Sequence, residues 1–242
     1  MTKVSFSRVE CWKQCPRKYK YRYIDKVEVP PDFSPTNPLV LGSAMDTGIQ
    51  FGYEEAEKYY LAQFPMPSNA RETELMKLAY WIPQLQEKFH KGAFQVRIES
   101  DRFIGFADYI EDHGKLLVDF KYSNNVEHYS ESPQIHVYAS ELPVRPEYMA
   151  YVLIPKTSIR QKNSETIEEF RERVMGELEK MEIQFVWVDY DQEKVDAFWQ
   201  DVDAMWKDTT FEPISNDNCK YCDYKDLCQT RPKRVLLPRS EL

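Results

Sequence analysis

The sequence predicts an α/β fold in which helices cover a mixed β-sheet. Three observations carry this. Phe94–Glu99, Phe103–Ile110 and Lys115–Lys121 read as consecutive strands of a meander. Segments of helical period flank the meander, and another strand, Tyr148–Pro155, follows a short helix. At 242 residues the chain can bury a sizeable core as one domain, or as a core with a small appendage.

Each element has its own warrant. Ser7-Arg8-Val9-Glu10 has capping-box spacing and opens a helix that ends near Cys15. Pro16 suits the first turn of a second helix, since the N–H it lacks has no helical partner there. Leu41 to Gln63 is expected to be helical, as is Arg71 to Lys91 with a bend at Pro83. Pro30–Pro35 and Pro65–Asn69 are connecting loops. Pro133–Leu142 is a short helix, Ser164–Met181 and Gln192–Lys207 are amphipathic helices, and Ile183–Tyr190 is the last strand.

The segment with most chemical content is residues 105–121. Leu116 to Lys121 is an apolar strand that turns polar at its end, so Asp119 and Lys121 share a face while Phe120 points into the core. Glu111-Asp112-His113-Gly114 has turn chemistry, and a four-residue loop sets Ile110 opposite Lys115 and Asp108 opposite Leu117. Asp108 and Asp119 are then diagonal neighbours, roughly 7–8 Å apart at the backbone. Two carboxylates so placed can share a divalent cation, and the adjacent lysine can orient water or meet charge on a phosphate. The plainer alternative is an amphipathic hairpin with solvated charges.

Cysteines cluster at the two ends of the chain. Cys15 is near the start; Cys219, Cys222 and Cys228 form C-x2-C-x5-C near the end, with none between Cys15 and Cys219. The first residues lead directly into a polar helix without a signal peptide, and no transmembrane run is visible, so a cytoplasmic, reducing setting is expected. Clustered thiols there point to metal: an iron–sulfur cluster or structural zinc. Cys11 is expected to pack as a small hydrophobe.

Net charge is −8, but it is unevenly distributed. Residues 1–26 carry 8 Lys/Arg against 2 acids and residues 219–242 carry 6 against 3, so the ends sum to +9 and the remainder to −17. Arg17, Lys18, Lys20 and Arg22 interleave with Tyr19, Tyr21 and Tyr23, a pattern suited to phosphate contact and base stacking. Tyr19 and Tyr23 are expected to be mostly buried, leaving the cations as the functional part.

Taken in order, the motifs resemble the PD-(D/E)XK nuclease superfamily. They are most similar to RecB-type exonucleases, including the iron–sulfur nucleases of CRISPR adaptation and related phage enzymes. The resemblance rests on Ser5-x-Ser7 before Cys15-Pro16-Arg17-Lys18, then Gly42-Ser43-Ala44 opening a helix, Gly105-x-Ala107-Asp108, Asp119-x-Lys121, Gln134-x-x-x-Tyr138 and the final cysteines. It implies a restriction-endonuclease-like core as a single domain over residues 1–242. Residues 1–26 and 209–242 would together form an iron–sulfur subdomain, a clasp joining the chain ends. It implies that Asp108, Asp119 and the Phe120 carbonyl bind Mg²⁺ or Mn²⁺, that Lys121 is catalytic, and that Gln134 and Tyr138 flank the site and contact DNA. It implies a 4Fe–4S cluster on Cys15, Cys219, Cys222 and Cys228.

Two departures from the family pattern stand out. Met45-Asp46 occupies the place of a family histidine ligand, so Asp46 is the candidate third carboxylate for Mg²⁺ or Mn²⁺. Ala107 precedes Asp108 where the superfamily name has proline. His90, His113, His128 and His136 have no spacing that argues for a triad or a zinc enzyme, and no P-loop is present, so a motor would be another chain. The expectation is therefore a cytoplasmic metal-dependent exonuclease acting on single-stranded DNA or DNA ends, in a bacterial, archaeal or phage-infected cell. A helicase, integrase or other recombination protein is the expected kind of partner. The competing readings are a weakly catalytic DNA-binding or assembly subunit, and a zinc-stabilised nuclease.

Overall fold

The computed structural model describes residues 3–229, which form two compact units. The first comprises residues 3–5 and Asp32–Trp199; the second comprises Phe6–Pro31 and residues 200–229.

The first unit is built on a five-stranded sheet in sequential order: β1 (Gly92–Glu99), β2 (Ile104–Glu111), β3 (Leu116–Tyr122), β4 (Tyr148–Ile154) and β5 (Gln184–Trp187). β3 and β4 are parallel and the other pairs antiparallel. The parallel pair needs a crossover, supplied by α6 (Val126–Ser130) and α7 (Gln134–Glu141). Residues 3–5 belong here because Val4 bridges to Phe103, with Val4 N–H donating to the Arg102 carbonyl at 2.9 Å.

One face of the sheet is covered by α3 (Pro38–Phe51), α4 (Tyr53–Gln63), α5 (Asn69–Lys88) and α8 (Ile167–Leu178). Trp81, Leu78 and Ile82 of α5 pack in one core with Val118 and Phe120 of β3. Each such side chain, fully buried, contributes roughly 1.5–3 kcal/mol. Gly48 lets α3 approach α5, since a Cβ there would lie 2.2 Å from Ile82 Cδ1. The expected single helix over Leu41–Gln63 is two, broken at Gly52, whose φ of 101° no helix accommodates. Gly42 does not open α3 either: Asn37 caps it, accepting from Leu39 and Val40, and Pro38 fills the first position. α5 runs through Pro83, capped by Ser68.

The second unit holds α1 (Phe6–Gln14), α2 (Pro16–Tyr19), a π-type turn at Lys20–Ile24, the end of α9 (Gln192–Lys207), a 3₁₀ turn at Asp217–Tyr221 and α10 (Lys225–Gln229). Ser7 lies inside α1 rather than at its cap, because the helix starts at Phe6. The second half of α9 joins this unit through Lys13–Asp201 at 2.8 Å and Trp12 Nε1–H donating to Asp208 at 2.9 Å. Asn216 Nδ2 donates to the Gln14 carbonyl at 3.0 Å, tying the C-terminal loop to α1.

Candidate active site and cysteine cavity

Three carboxylates and one ammonium gather around the end of β3. The hairpin that delivers two of them is wider than the four-residue loop expected. Ile110 pairs with Leu117 and Tyr109 with Val118, a register two residues from the expected Ile110–Lys115. His113 (φ 75°) and Gly114 (φ 70°) are both left-handed in the turn, so Lys115 stays in the loop. An even slip keeps every side chain on its face. Asp108 and Asp119 therefore remain together, and continuing the register sets them opposite each other rather than diagonally.

The strands separate at this point. Pairing between β2 and β3 covers Tyr109 and Ile110, and at Asp108 the side chain takes over: its Oδ2 accepts the Phe120 N–H at 2.9 Å. A strand residue directs its N–H and C=O toward the same edge. The Phe120 carbonyl thus faces the same opening, between the two acids.

Lys121 Nζ lies 2.6 Å from Asp119 Oδ2 and donates to Gln134 Oε1 at 3.1 Å. The first contact is an ion pair off the hydrogen-bond axis, so Asp119 Oδ2 is buried without an aligned donor. Gln134 Nε2 donates to Tyr138 OH at 3.3 Å, so the pair faces one way, as four-residue helical spacing requires. Gly105 explains itself here: a Cβ would lie 2.9 Å from the Phe103 ring and 3.1 Å from Tyr138.

The electrostatics are those of crowded negative charge. Burial and the neighbouring Asp119 charge push Asp46 up to about 7, Lys121 partly opposing. Asp108 is raised well above the ordinary carboxylate range by burial, Asp119 and Asp46. Asp119 is raised by burial against the pull of Lys121. Burial would lower Lys121, but Asp119 and Asp108 override it and hold the ammonium charged. Tyr138 rises to about 12, chiefly through burial.

An oxygen donor set with a buried, unaligned carboxylate oxygen suits a hard divalent cation. Among the described residues, no group of three or more His, Cys, Asp or Glu side chains already stands in ligating arrangement. The raised carboxylate values give a pH prediction. Asp46 binds its proton more tightly folded than unfolded, so its contribution to stability is complete below about 4 and is lost as pH rises through about 7. In chelator, the melting temperature of Asp46→Asn should exceed that of the parent above pH 7, by on the order of several degrees, and the difference should shrink toward pH 4. A pH-independent difference would contradict the crowded-carboxylate account.

Three further residues belong to the site and were not legible in the sequence. Gln95, in the middle of β1, is left-handed (φ 49°) and its Nε2 donates to Asp108 Oδ1 at 3.3 Å. Tyr151 OH accepts the Ile135 N–H at 3.0 Å, securing α7 beside Asp119. The Tyr129 ring lies 5.7 Å from Lys121 Nζ.

In the second unit, Cys15, Cys219, Cys222 and Cys228 all line one cavity of about 270 Å³. Cys11 does not line it; it is buried, and burial raises its thiol. All five thiols are free. Four thiols around one cavity, with Arg17, Lys18 and Lys225 beside them, suit a thiolate-ligated metal group whose negative charge needs partners.

The N-terminal cations are less available than expected. Arg17 Nε donates to the Phe211 carbonyl at 2.8 Å, and its Nη2 lies 3.9 Å from Glu212. Lys20 is paired with Asp25 at 2.5 Å. The Arg22 guanidinium lies 5.5 Å from the centre of the Tyr23 ring. Tyr21 is the buried tyrosine, while Tyr19 and Tyr23 are half-buried, because the π-type turn adds a residue and rotates the face. The basic residues after 229 lie outside the described residues.

The sheet is five-stranded and mixed, and its parallel pair carries Asp119-x-Lys121 facing Asp108 where the meander opens. The chain matches the family model of the PD-(D/E)XK nuclease superfamily over residues 3–229 and belongs to that superfamily. Its members are generally nucleases and typically use divalent metals such as Mg²⁺ or Mn²⁺. No curated protein matches the chain. Among the described residues, no helix is long and apolar enough to cross a membrane.

Proposed function

We propose that this protein is a DNA exonuclease acting on single strands or duplex ends, with a structural 4Fe–4S cluster. The observation that carries the nuclease reading is the convergence of Asp108, Asp119, Lys121 and Gln134 on one opening in the sheet, with Asp46 of α3 near enough for its charge to act on Asp108. A Mg²⁺ or Mn²⁺ ion held by the three carboxylates and the Phe120 carbonyl would supply Lewis acidity at the scissile phosphate. Lys121, kept protonated by its acids, serves as a fixed donor to a phosphate oxygen and to the attacking water rather than as a base. Gln134 holds that ammonium in place, and Tyr138 fixes Gln134 in turn. The cysteine cavity supports the cluster as an element of the fold of the second unit, whose described residues are Phe6–Pro31 and 200–229 rather than the expected 1–26 and 209–242.

Of the basic segment, Lys18 and Arg22 have no hydrogen bond or ion pair among the described residues and are both candidates for DNA contact, although Lys18 also lines the cysteine cavity. The test is anaerobic purification, then cleavage of end-labelled single and double strands in Mg²⁺ or Mn²⁺, with binding measured across a salt series. Lys18→Glu should weaken binding and flatten its salt slope by about one to two counterions. Lys20→Glu should do so less, since Lys20 is already neutralised by Asp25. Equal effects, or none, would remove Lys18 from the interface. Uniform internal cuts would replace exonuclease by endonuclease.

A further inference from the structure

A second polar cavity, of about 570 Å³, lies in the first unit where α5, the end of β3 and the loop after β4 meet. Its lining is unlike a gap in packing. Five polar or charged residues are buried among the described residues, and three of them, Thr73, Glu74 and Thr157, line this one cavity. Tyr122, on its wall, follows Lys121 directly on β3, so its side chain leaves the sheet on the face opposite the Asp119–Lys121 pair.

The charges here are unbalanced. Lys77, Lys156 and Arg160 line the cavity with one carboxylate, Glu74, and Glu74 is already bound to Lys77 at 2.6 Å. Lys156 has no ion pair among the described residues; its Nζ stands 4.3 Å from the centre of the Tyr122 ring. Burial lowers its basicity and Lys77 adds to this, while the charge of Glu74 only partly opposes them. Its backbone is fixed: its N–H donates to Asn124 Oδ1, and Asn124 Nδ2 donates to its carbonyl, both at 2.7 Å.

We propose that this cavity binds a phosphomonoester of nucleotide size, with Lys156 and Arg160 meeting the phosphate. Phosphate chemistry follows from two cations in excess, one of them on a fixed backbone, beside the hydroxyl of Ser158. Nucleotide size follows from the volume, which falls in the range of small-molecule sites, roughly 300–1,000 Å³, and far exceeds a bare phosphate. The site is separate from the cleavage centre and the proposal does not depend on the nuclease reading.

The test is calorimetric titration of the whole protein in chelator with deoxyadenosine monophosphate, deoxyadenosine, ribose 5-phosphate and inorganic phosphate. The nucleotide should bind and deoxyadenosine should not. Lys156→Gln should weaken nucleotide binding by about 10- to 100-fold, Lys156→Arg should largely keep it, and Asp119→Ala should leave it unchanged. Arg160→Gln, at an exposed position, gives a second reading if Lys156→Gln fails to fold. Ribose 5-phosphate binding as well as the nucleotide would keep the phosphomonoester and leave the base unrecognised. Inorganic phosphate binding equally well would overturn the size argument. Absence of phosphate-ester binding at millimolar concentration, or binding lost in Asp119→Ala, would overturn the proposal.

Discussion

Asp119→Ala is expected to abolish cleavage, and Lys121→Ala to lower the single-turnover rate by about 10²- to 10³-fold. Asp119 is the most buried of the three acids, and its charge raises both Asp46 and Asp108. Removing it takes away the central oxygen ligand. The fold should not suffer in parallel, because the deletion relieves carboxylate crowding. Lys121→Ala has the opposite balance: it removes the one cation, so the remaining acids hold protons more tightly. Its residual activity should therefore recover more at high pH than the parent's does. Both variants should bind DNA nearly as the parent does. Full activity in Asp119→Ala would overturn the nuclease assignment for this site; loss of activity together with loss of the folded state would leave the roles to be tested by Asp119→Asn.

Replacing Cys222 by Ser is expected to remove iron, bleach absorption near ~400 nm and open the second unit to proteolysis, while Cys11→Ser keeps both colour and resistance. The second unit assembles from two segments at opposite ends of the chain, held by short helices, turns and a few side-chain contacts such as Asn216 to Gln14. Its buried apolar side chains include Val9, Tyr21, Val202, Met205 and Tyr224, and ligand bonds at the cavity should add substantially to what they contribute. Iron and zinc analysis of the anaerobic protein decides the metal. Stoichiometric zinc would replace the cluster but keep the ligand set; colour that survives Cys222→Ser but not Cys11→Ser would overturn the set itself.

The sequence carried faces more surely than registers. Asp108, Asp119 and Lys121 could be placed together because strand alternation survives any even slip, and the slip that occurred was by two. The register itself was hidden in the left-handed backbone of His113, a residue type with no obligation to adopt it. The same holds for Gln95, whose unusual φ and contact with Asp108 leave no mark in a string of letters. Q-x-x-x-Y was legible as a shared helix face. That Gln134 would accept from Lys121 was not, since it depends on how α7 crosses the sheet. Among the tyrosines at 19, 21 and 23, ordinary helical period favoured the wrong two, and one inserted residue in the turn reversed the outcome.

The division of the chain also sets an order of assembly during synthesis. Nearly all of the first unit is one continuous stretch, Asp32–Trp199, and can fold as soon as it has left the ribosome. Phe6–Pro31 is made first yet must wait for residues from 200 onward. At about 5–20 residues per second, that wait lasts roughly 10–40 s, during which Cys15 has no partner thiols. The segment Phe6–Pro31, though made before the other half of its unit, is thus secured only after the stretch that carries the whole sheet has been made.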